Sequence, residues 1–326
     1  LTARRARGGK KARKGKGSIV SGGAKTVSEN VRVDKLHEAR QASLRQSAVF
    51  NGVGLHSGEQ CEIVVKPAPA DTGILFIRRN GEADAFKSTI AASPENVIRS
   101  DHGTTLGNAF GATVATVEHL LAALAIAQID NAFIEVDGPE IPILDGSAAP
   151  FLEGVENAGR QVQAARRSAF DVIEPIEVVD GDRSVLIEPA EQFSLTVEIE
   201  FEDCLIGRQS LSISLGDADE IARIASARTF CRLYEVDALR RAGLIQGGSL
   251  ENSLVVDGER LLNGAGLRDP HEFVLHKALD LLGDLYLLGM PVNGAVRASK
   301  PGHDLNCRAA LALYRQIHPA RRAAAV

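Results

Sequence analysis

Three residues on one stretch have the types and spacing to hold and use a metal ion. In DPHEFVLHKALDLLGDLYLLG, residues 269–289, His276, Asp280 and Asp284 recur at i, i+4 and i+8. The stretch predicts a helix: Asp269 can cap it, Pro270 suits the first helical position, and Glu272 has capping-box spacing. On such a helix the three residues share one stripe. The rest is apolar on nearly every side, through Phe273, Val274, Leu275, Leu279, Leu281, Leu282, Leu285 and Leu287. A helix apolar almost all round is ordinarily buried, and buried histidines and acids need partners. The alternative is that the stripe is simply the solvated face of the helix.

A second stretch, ATVEHLLAALAIA, places Glu118 and His119 near the start of another helix, with Thr116 as its N-cap. A carboxylate in the first turn is favoured by the helix dipole, which alone would explain Glu118, with His119 a buried, hydrogen-bonded neighbour. Adjacent side chains on a helix diverge by roughly 100°, so one can hold a metal while the other faces a water on it. His276 and Asp280 at i, i+4 can chelate one ion, as the two histidines of HExxH helices do. With His119 they make a His2Asp set that leaves a fourth position open, the pattern of a catalytic zinc site. Imidazole and carboxylate together suit Zn²⁺; Fe²⁺ is compatible with the same donors. Two further residues have usable chemistry. His303 sits in ASKPGHDLN, in a turn built by Pro301 and Gly302, where a histidine is ordinarily just exposed. Thr229 in SARTF carries a hydroxyl that could donate to an oxyanion.

The elements that must position these residues come in a repeated order. EIVVKPAPADTGILFIR reads as strand, turn, strand. A helix and then a strand, AFIEV, follow over 113–136, and EIPILDGSAAPFLEGVENAG is a loop with a short helix. RQVQAARR, 160–167, suits a linker. Then SVLIEPAEQFSLTVEIEF is again strand, turn, strand, and ADEIARIASARTF is a helix. Turns and short strands fill GGSLENSLVVDGERLL, before the 269–289 helix and the strand VNGAVRAS. Each half is thus a β-hairpin with a later helix–strand unit, an internal duplication at a spacing near 120 residues. If the halves pack together, a site at their junction could use a histidine from each.

Composition bounds the rest. The chain has 326 residues, 44% hydrophobic and 24% charged, a soluble globular profile long enough for two domains. No apolar run reaches the length of a membrane span. Cys61, Cys204, Cys231 and Cys307 are scattered and form no CxxC, so any metal falls to histidine and carboxylate. They read as thiols of a reducing compartment. The first 16 residues hold eight basic and no acidic residues, which leaves −13 on the remainder of a chain whose net charge is −5. An acidic body with 4% aromatics argues against nucleic-acid binding. Residues 1–45 are expected to be a disordered, dispensable basic and polar tail without the apolar core of a secretory signal.

Taken in order, GVGLHSG, TVEHLLAAL, IDNAFIEVDGPEIPILDGSAAPF, ARTF, GLIQGGSLENSLVVD, HEFVLHKALDLLGDL and KPGHDLN closely resemble the zinc-dependent UDP-3-O-acyl-N-acetylglucosamine deacetylases of Gram-negative bacteria. The resemblance spans roughly residues 47–310. It implies an α+β fold of two similar two-layer α/β sandwich domains, helices packed between the sheets and the active site at the domain junction. In this chain the domains would be 46–163 and 164–318, followed by a C-terminal tail, 319–326. It implies one Zn²⁺ on His119, His276 and Asp280, Glu118 as general base, and His303 as general acid oriented by Asp284. Thr229 would stand near the oxyanion, with Lys277, Phe230, Leu55 and His56 on the substrate. An insert at about 231–256 would form a passage for the acyl chain. The implied substrate is a UDP-linked acylated amino sugar, the implied reaction the committed step of lipid A synthesis. The implied setting is a monomer in the cytoplasm that meets the inner-membrane surface transiently. Cys231-Arg232 replace a Gly-Phe found in some members, which would change the mouth of that passage.

Overall fold

The computed structural model describes residues 39–79 and 84–318; most of the expected tail, 1–38, and the segment 319–326 lie outside them. The end of that tail is not a tail. Arg40–Leu44 form strand β1, with Ala42 and Leu44 buried. Its partner is the segment expected to be a linker: Arg160–Arg166, strand β10, pairs with it antiparallel. The polar composition of 160–166 hid the strand, because most of its side chains are exposed rather than packed. Gln163, for example, donates to the Ala68 carbonyl and accepts from Asn131.

The first sheet is built from β2 (Ala48–Val53), β3 (Gln60–Pro67), β4 (Ile74–Arg78), β5 (Thr89–Ala91) and β9 (Ala132–Val136), in the order 2-3-9-4-5. A small meander of β6 (Val97–Arg99), β7 (Thr105–Gly107) and β8 (Thr113–Val114) stands beside it. The second sheet joins β12 (Ile176–Asp180), β13 (Arg183–Pro189), β14 (Ser194–Phe201), β15 (Gly207–Ile213) and β19 (Val292–Ser299), in the order 12-13-19-14-15. β11 (Phe170–Asp171) adds to β19. A three-stranded patch of β16 (Phe230–Arg232), β17 (Leu254–Asp257) and β18 (Arg260–Leu261) lies within the second half. Period-2 burial drives these strands: Cys61, Ile63 and Val65 on β3, and Leu195, Val197 and Ile199 on β14, point inward.

The two large sheets match strand for strand. In each, the last strand enters between the two strands of the expected hairpin, antiparallel to the first and parallel to the second. The expected hairpins are therefore split. Each central strand, β9 or β19, brings an apolar inward face that is better buried between two neighbours than at an edge.

Seven helices complete the described residues: α1 (Ala85–Ser88), α2 (Glu118–Ile126), α3 (Ala149–Ala158), α4 (Ala218–Ser226), α5 (Leu233–Arg241), α6 (Glu272–Tyr286) and α7 (His303–Ile317). None is long and apolar enough to cross a membrane. α3 packs on β2; α6 covers β14 and β15; α7 covers β12 and β13. α2 packs along α6, and one apolar core runs through both sheets and their helices. Every residue of α6 except Lys277 is buried, so its polar stripe faces protein rather than solvent.

Both site helices start later than the sequence suggests. Asp269 does not cap α6. Its side chain bonds the His271 N–H and Arg223, and the N-cap position falls on His271. Thr116 does not cap α2, whose N-cap is Val117. Thr116 has a φ of 58°, costly for a β-branched residue, and its hydroxyl donates to Glu140 at 2.7 Å.

The α2–α6 contact is tight because Gly283 faces the Glu118 backbone. A Cβ built on Gly283 would lie 2.1 Å from the Glu118 carbonyl oxygen. Gly283→Ala is expected to force the helices apart and to cost at least about 1–3 kcal/mol, read as a lower denaturation midpoint. Gly264→Ala, with nothing within 4 Å of its Cβ, should leave the midpoint unchanged.

Candidate active site

α2 and α6 bring the predicted ligands together. The Nε2 atoms of His119 and His276 stand 3.6 Å and 3.3 Å from Asp280 Oδ1, and the three ligand atoms lie within 4.8 Å of one another. All three residues are buried, at 4%, 2% and 2% exposure, so solvent cannot satisfy them. Asp280 Oδ1 has no hydrogen-bond partner, while Oδ2 accepts from Lys277 Nζ at 2.7 Å. An unpartnered oxygen on a buried carboxylate is costly, and a cation between it and the imidazoles would remove that cost.

The protonation states suit a cation as well. Burial pushes the His276 pKa down to about 3, against the opposing pull of Asp280. Its ring is therefore neutral at neutral pH. Nδ1 faces the Ala227 carbonyl at 3.0 Å, which assigns the proton to Nδ1 and leaves the Nε2 lone pair toward Asp280. Burial alone would raise the Asp280 pKa, but the positive charges of Lys277 and His303 hold the carboxylate well below its usual range.

The Ala227 carbonyl is itself held in place. Glu272, fully buried, accepts from the Arg228 N–H, from Arg228 Nε at 2.7 Å and Nη2 at 3.1 Å, and from the Arg268 N–H. This pins residues 227–229 against the first turn of α6. Thr229 follows, its N–H on Gly146 and its carbonyl on Leu254.

Glu118 opens α2 beside the ligands. Its Oε2 accepts from the Thr104 N–H at 3.0 Å, and its Oε1 lies 3.8 Å from His303 Nε2. Burial raises its pKa, offset in part by His303 and His119. His303 is not in a turn, as its sequence neighbours suggest, but is the first residue of α7, after Gly302 in extended conformation. Its Nδ1 meets Asp284 Oδ2 at 3.0 Å. Burial would pull its pKa down, but the carboxylates of Asp284, Glu118 and Asp280 prevail and raise it to about 10. The imidazole is thus protonated near neutrality.

These groups line a cavity of about 700 Å³, together with Leu55, His56, Thr229, Phe230 and Lys277. Of the expected ligand, catalytic and substrate residues, Asp284 alone does not line it, and lies behind His303. Glu140 fixes the loop carrying Leu55 and His56 by accepting the N–H groups of His56 and Ser57. Lys277 Nζ lies 5.5 Å over the Phe230 ring. From this polar end the cavity runs along Leu233, Val236, Leu239, Ile245 and Val255. The cavity is thus titratable at one end and apolar at the other.

Several residues of the site escape sequence reasoning. Thr104 and Asn306 both bond Asp284, and Glu140 joins two loops. Asn306 stands three residues after His303, a helical spacing that would have pointed to it had α7 been expected. Thr104 and Glu140 give no local signal.

A family model for UDP-3-O-acyl N-acetylglycosamine deacetylase (LpxC) matches residues 41–315. Proteins named UDP-3-O-acyl-N-acetylglucosamine deacetylase match over similar spans. That of Phenylobacterium zucineum is 47% identical, over 82% of this chain and 90% of its own length. That of Myxococcus xanthus is 45% identical, over 82% and 83%. That of Acidithiobacillus ferrooxidans is 44% identical, over 82% and 87%. With matches that span nearly all of the described residues, this chain belongs to the UDP-3-O-acyl-N-acetylglucosamine deacetylase family.

Proposed function

We propose that the chain hydrolyses the N-acetyl group of UDP-3-O-(3-hydroxyacyl)-N-acetylglucosamine, releasing acetate and the free amine in the committed step of lipid A synthesis. The observation that carries the reading is the convergence of His119, His276 and Asp280 beside Glu118 and His303, at the polar end of a long apolar cavity. The resident metal is Zn²⁺, which fits two neutral imidazoles and a carboxylate with room for a further ligand. Once bound, it supplies Lewis acidity that sharpens a water nucleophile near neutral pH and draws charge from the carbonyl oxygen.

The protein's own groups do the rest. Glu118, ionised, takes a proton from the attacking water through Oε1, the oxygen not held by Thr104. Thr229 donates its hydroxyl toward the developing oxyanion, a contribution of about 3 kcal/mol for a well-placed donor. His303, protonated and aimed by Asp284, gives its proton to the departing amine, which is otherwise a poor leaving group. Lys277, Phe230, Leu55 and His56 hold the sugar end. The nucleotide diphosphate meets a second cleft that opens beside His303, lined by Arg99 and by an Arg183 already paired with Asp180 and Asp304. The acyl chain lies along the apolar residues of 231–256.

Three outcomes are expected. Purified protein should carry one zinc per chain, and His119→Ala should lose both the metal and acetate release; elemental analysis beside an acetate assay reads both. A metal-free wild type that is fully active would overturn the reading. The second outcome concerns pH. Glu118 works ionised with a raised pKa, so activity should fall as pH drops through a value above the ordinary carboxylate range. His303 works protonated, so activity should also fall as pH climbs toward about 10; a dication nearby repels the imidazolium and moves this limb lower. Glu118→Gln should lower kcat by roughly 10²–10⁴-fold and lose the acidic limb. A retained limb in the kcat profile would remove Glu118 from the role of base. Third, each methylene removed from the acyl chain should lower kcat/KM by up to about fourfold, the equivalent of ~0.8 kcal/mol. A short-chain substrate turned over as well as a long one would mean that 231–256 is no passage.

A further inference from the structure

We propose that Thr104 is a positioning residue that sets the two proton carriers of the site, Glu118 and His303, in register with each other. The inference rests on the hydrolase reading above and extends it to a residue outside the reacting set.

Thr104 is fully buried, and all three of its polar groups are spent on the site. Its N–H donates to Glu118 Oε2 at 3.0 Å. Its carbonyl accepts from the N–H of Val117, the N-cap residue of α2, at 3.2 Å. Its hydroxyl donates to Asp284 Oδ1 at 2.5 Å. One residue from a third segment thus touches the start of α2, the base on α2 and the acid on α6.

The backbone leading to it has an uncommon shape. His102 has a φ of 60° and Gly103 a φ of 156°. The His102 carbonyl accepts from His56 Nε2 at 2.8 Å, and a Cβ on Gly103 would sit 3.1 Å from Glu118 Oε1. Such backbone persists where its surroundings fix it, and it clusters at functional sites.

The consequence is a division of oxygens. With Thr104 on Asp284 Oδ1, the other oxygen, Oδ2, serves His303 Nδ1 at 3.0 Å and Asn306 Nδ2 at 2.9 Å. A carboxylate held at both oxygens does not turn, so the ring it holds keeps one direction. With the Thr104 N–H on Glu118 Oε2, Oε1 is the oxygen left to face His303 Nε2 at 3.8 Å. Both carriers take their placement from the same residue. A packing role alone would be met equally well by valine, which has the shape of threonine without its hydroxyl.

The test compares Thr104→Val and Thr104→Ser by kcat, KM, zinc content and thermal midpoint on UDP-3-O-acyl-N-acetylglucosamine. Thr104→Val should lower kcat by roughly 10–100-fold, with KM and zinc content near those of wild type, because Thr104 touches neither substrate nor ligands. Thr104→Ser should restore kcat to within about threefold of wild type, since the hydroxyl is kept. In a His303→Ala background Thr104→Val should cost less than about threefold more, because the group it positions is gone. If Thr104→Val does not fold, the ratio of Thr104→Ser to Thr104→Ala isolates the hydroxyl and should show the same fall. Wild-type kcat in Thr104→Val, or losses that multiply in the double variant, would overturn the role of Thr104 and leave the hydrolase reading standing. Wild-type kcat in His303→Ala would likewise overturn the role of Thr104, whereas no acetate release by the zinc-loaded wild type would overturn the hydrolase reading.

Discussion

A carboxylate taken out of water needs a partner for each oxygen, and Asp280 is placed so that one of its oxygens finds a partner in Lys277 while the other meets two histidine rings and no hydrogen bond. The surroundings keep this arrangement rather than relieve it. His276 is held neutral and turned by the Ala227 carbonyl, which the buried Arg228–Glu272 pair keeps in place. His119 arrives from another helix. Removing one side of such a pair leaves a buried charge uncompensated, which is more costly than never having buried it. The site and the core around it are therefore one structure, and the polar stripe of α6 is tolerated inside apolar packing because its members answer one another.

The meeting of α2 and α6 follows from the sheets. Each helix precedes the strand that enters the middle of its own sheet, β9 after α2 and β19 after α6. Two sheets of the same strand order thus present equivalent helices, and Gly283 lets them come close enough for backbone to touch side. Tyr286 adds a second tie, its hydroxyl donating to the Ile129 carbonyl at 2.6 Å.

Much of this was legible in the chain, for reasons that differ by element. α6 was visible because an apolar run that carries a histidine and two acids at helical spacing fits neither a strand nor a loop. β3, β14 and β19 were visible through alternation. Helix starts were misjudged at Asp269 and Thr116, because a capping side chain can be drawn to a competing partner, here Arg223 and Glu140. The split hairpins were missed because sequence neighbours carry no information about a strand that arrives much later in the chain. α7 was missed because Pro301 and Gly302 announce a turn, and here they sit just ahead of a helix. Of the site, the candidate ligands and titratable groups are recognisable by type, while Thr104 and Glu140, which bond others in place, have nothing local to mark them.

α6 carries His276, Asp280 and Asp284 on one rigid rod, whereas Glu118 and His119 ride the first turn of a nine-residue helix from the other half. Distances within each group are fixed by helical geometry; distances between the groups depend on where one rod lies along the other. A small slide would therefore change base-to-acid spacing and ligand-to-ligand spacing at the same moment. On the proposed reading, the molecule could not loosen its grip on a cation without also detuning its proton chemistry.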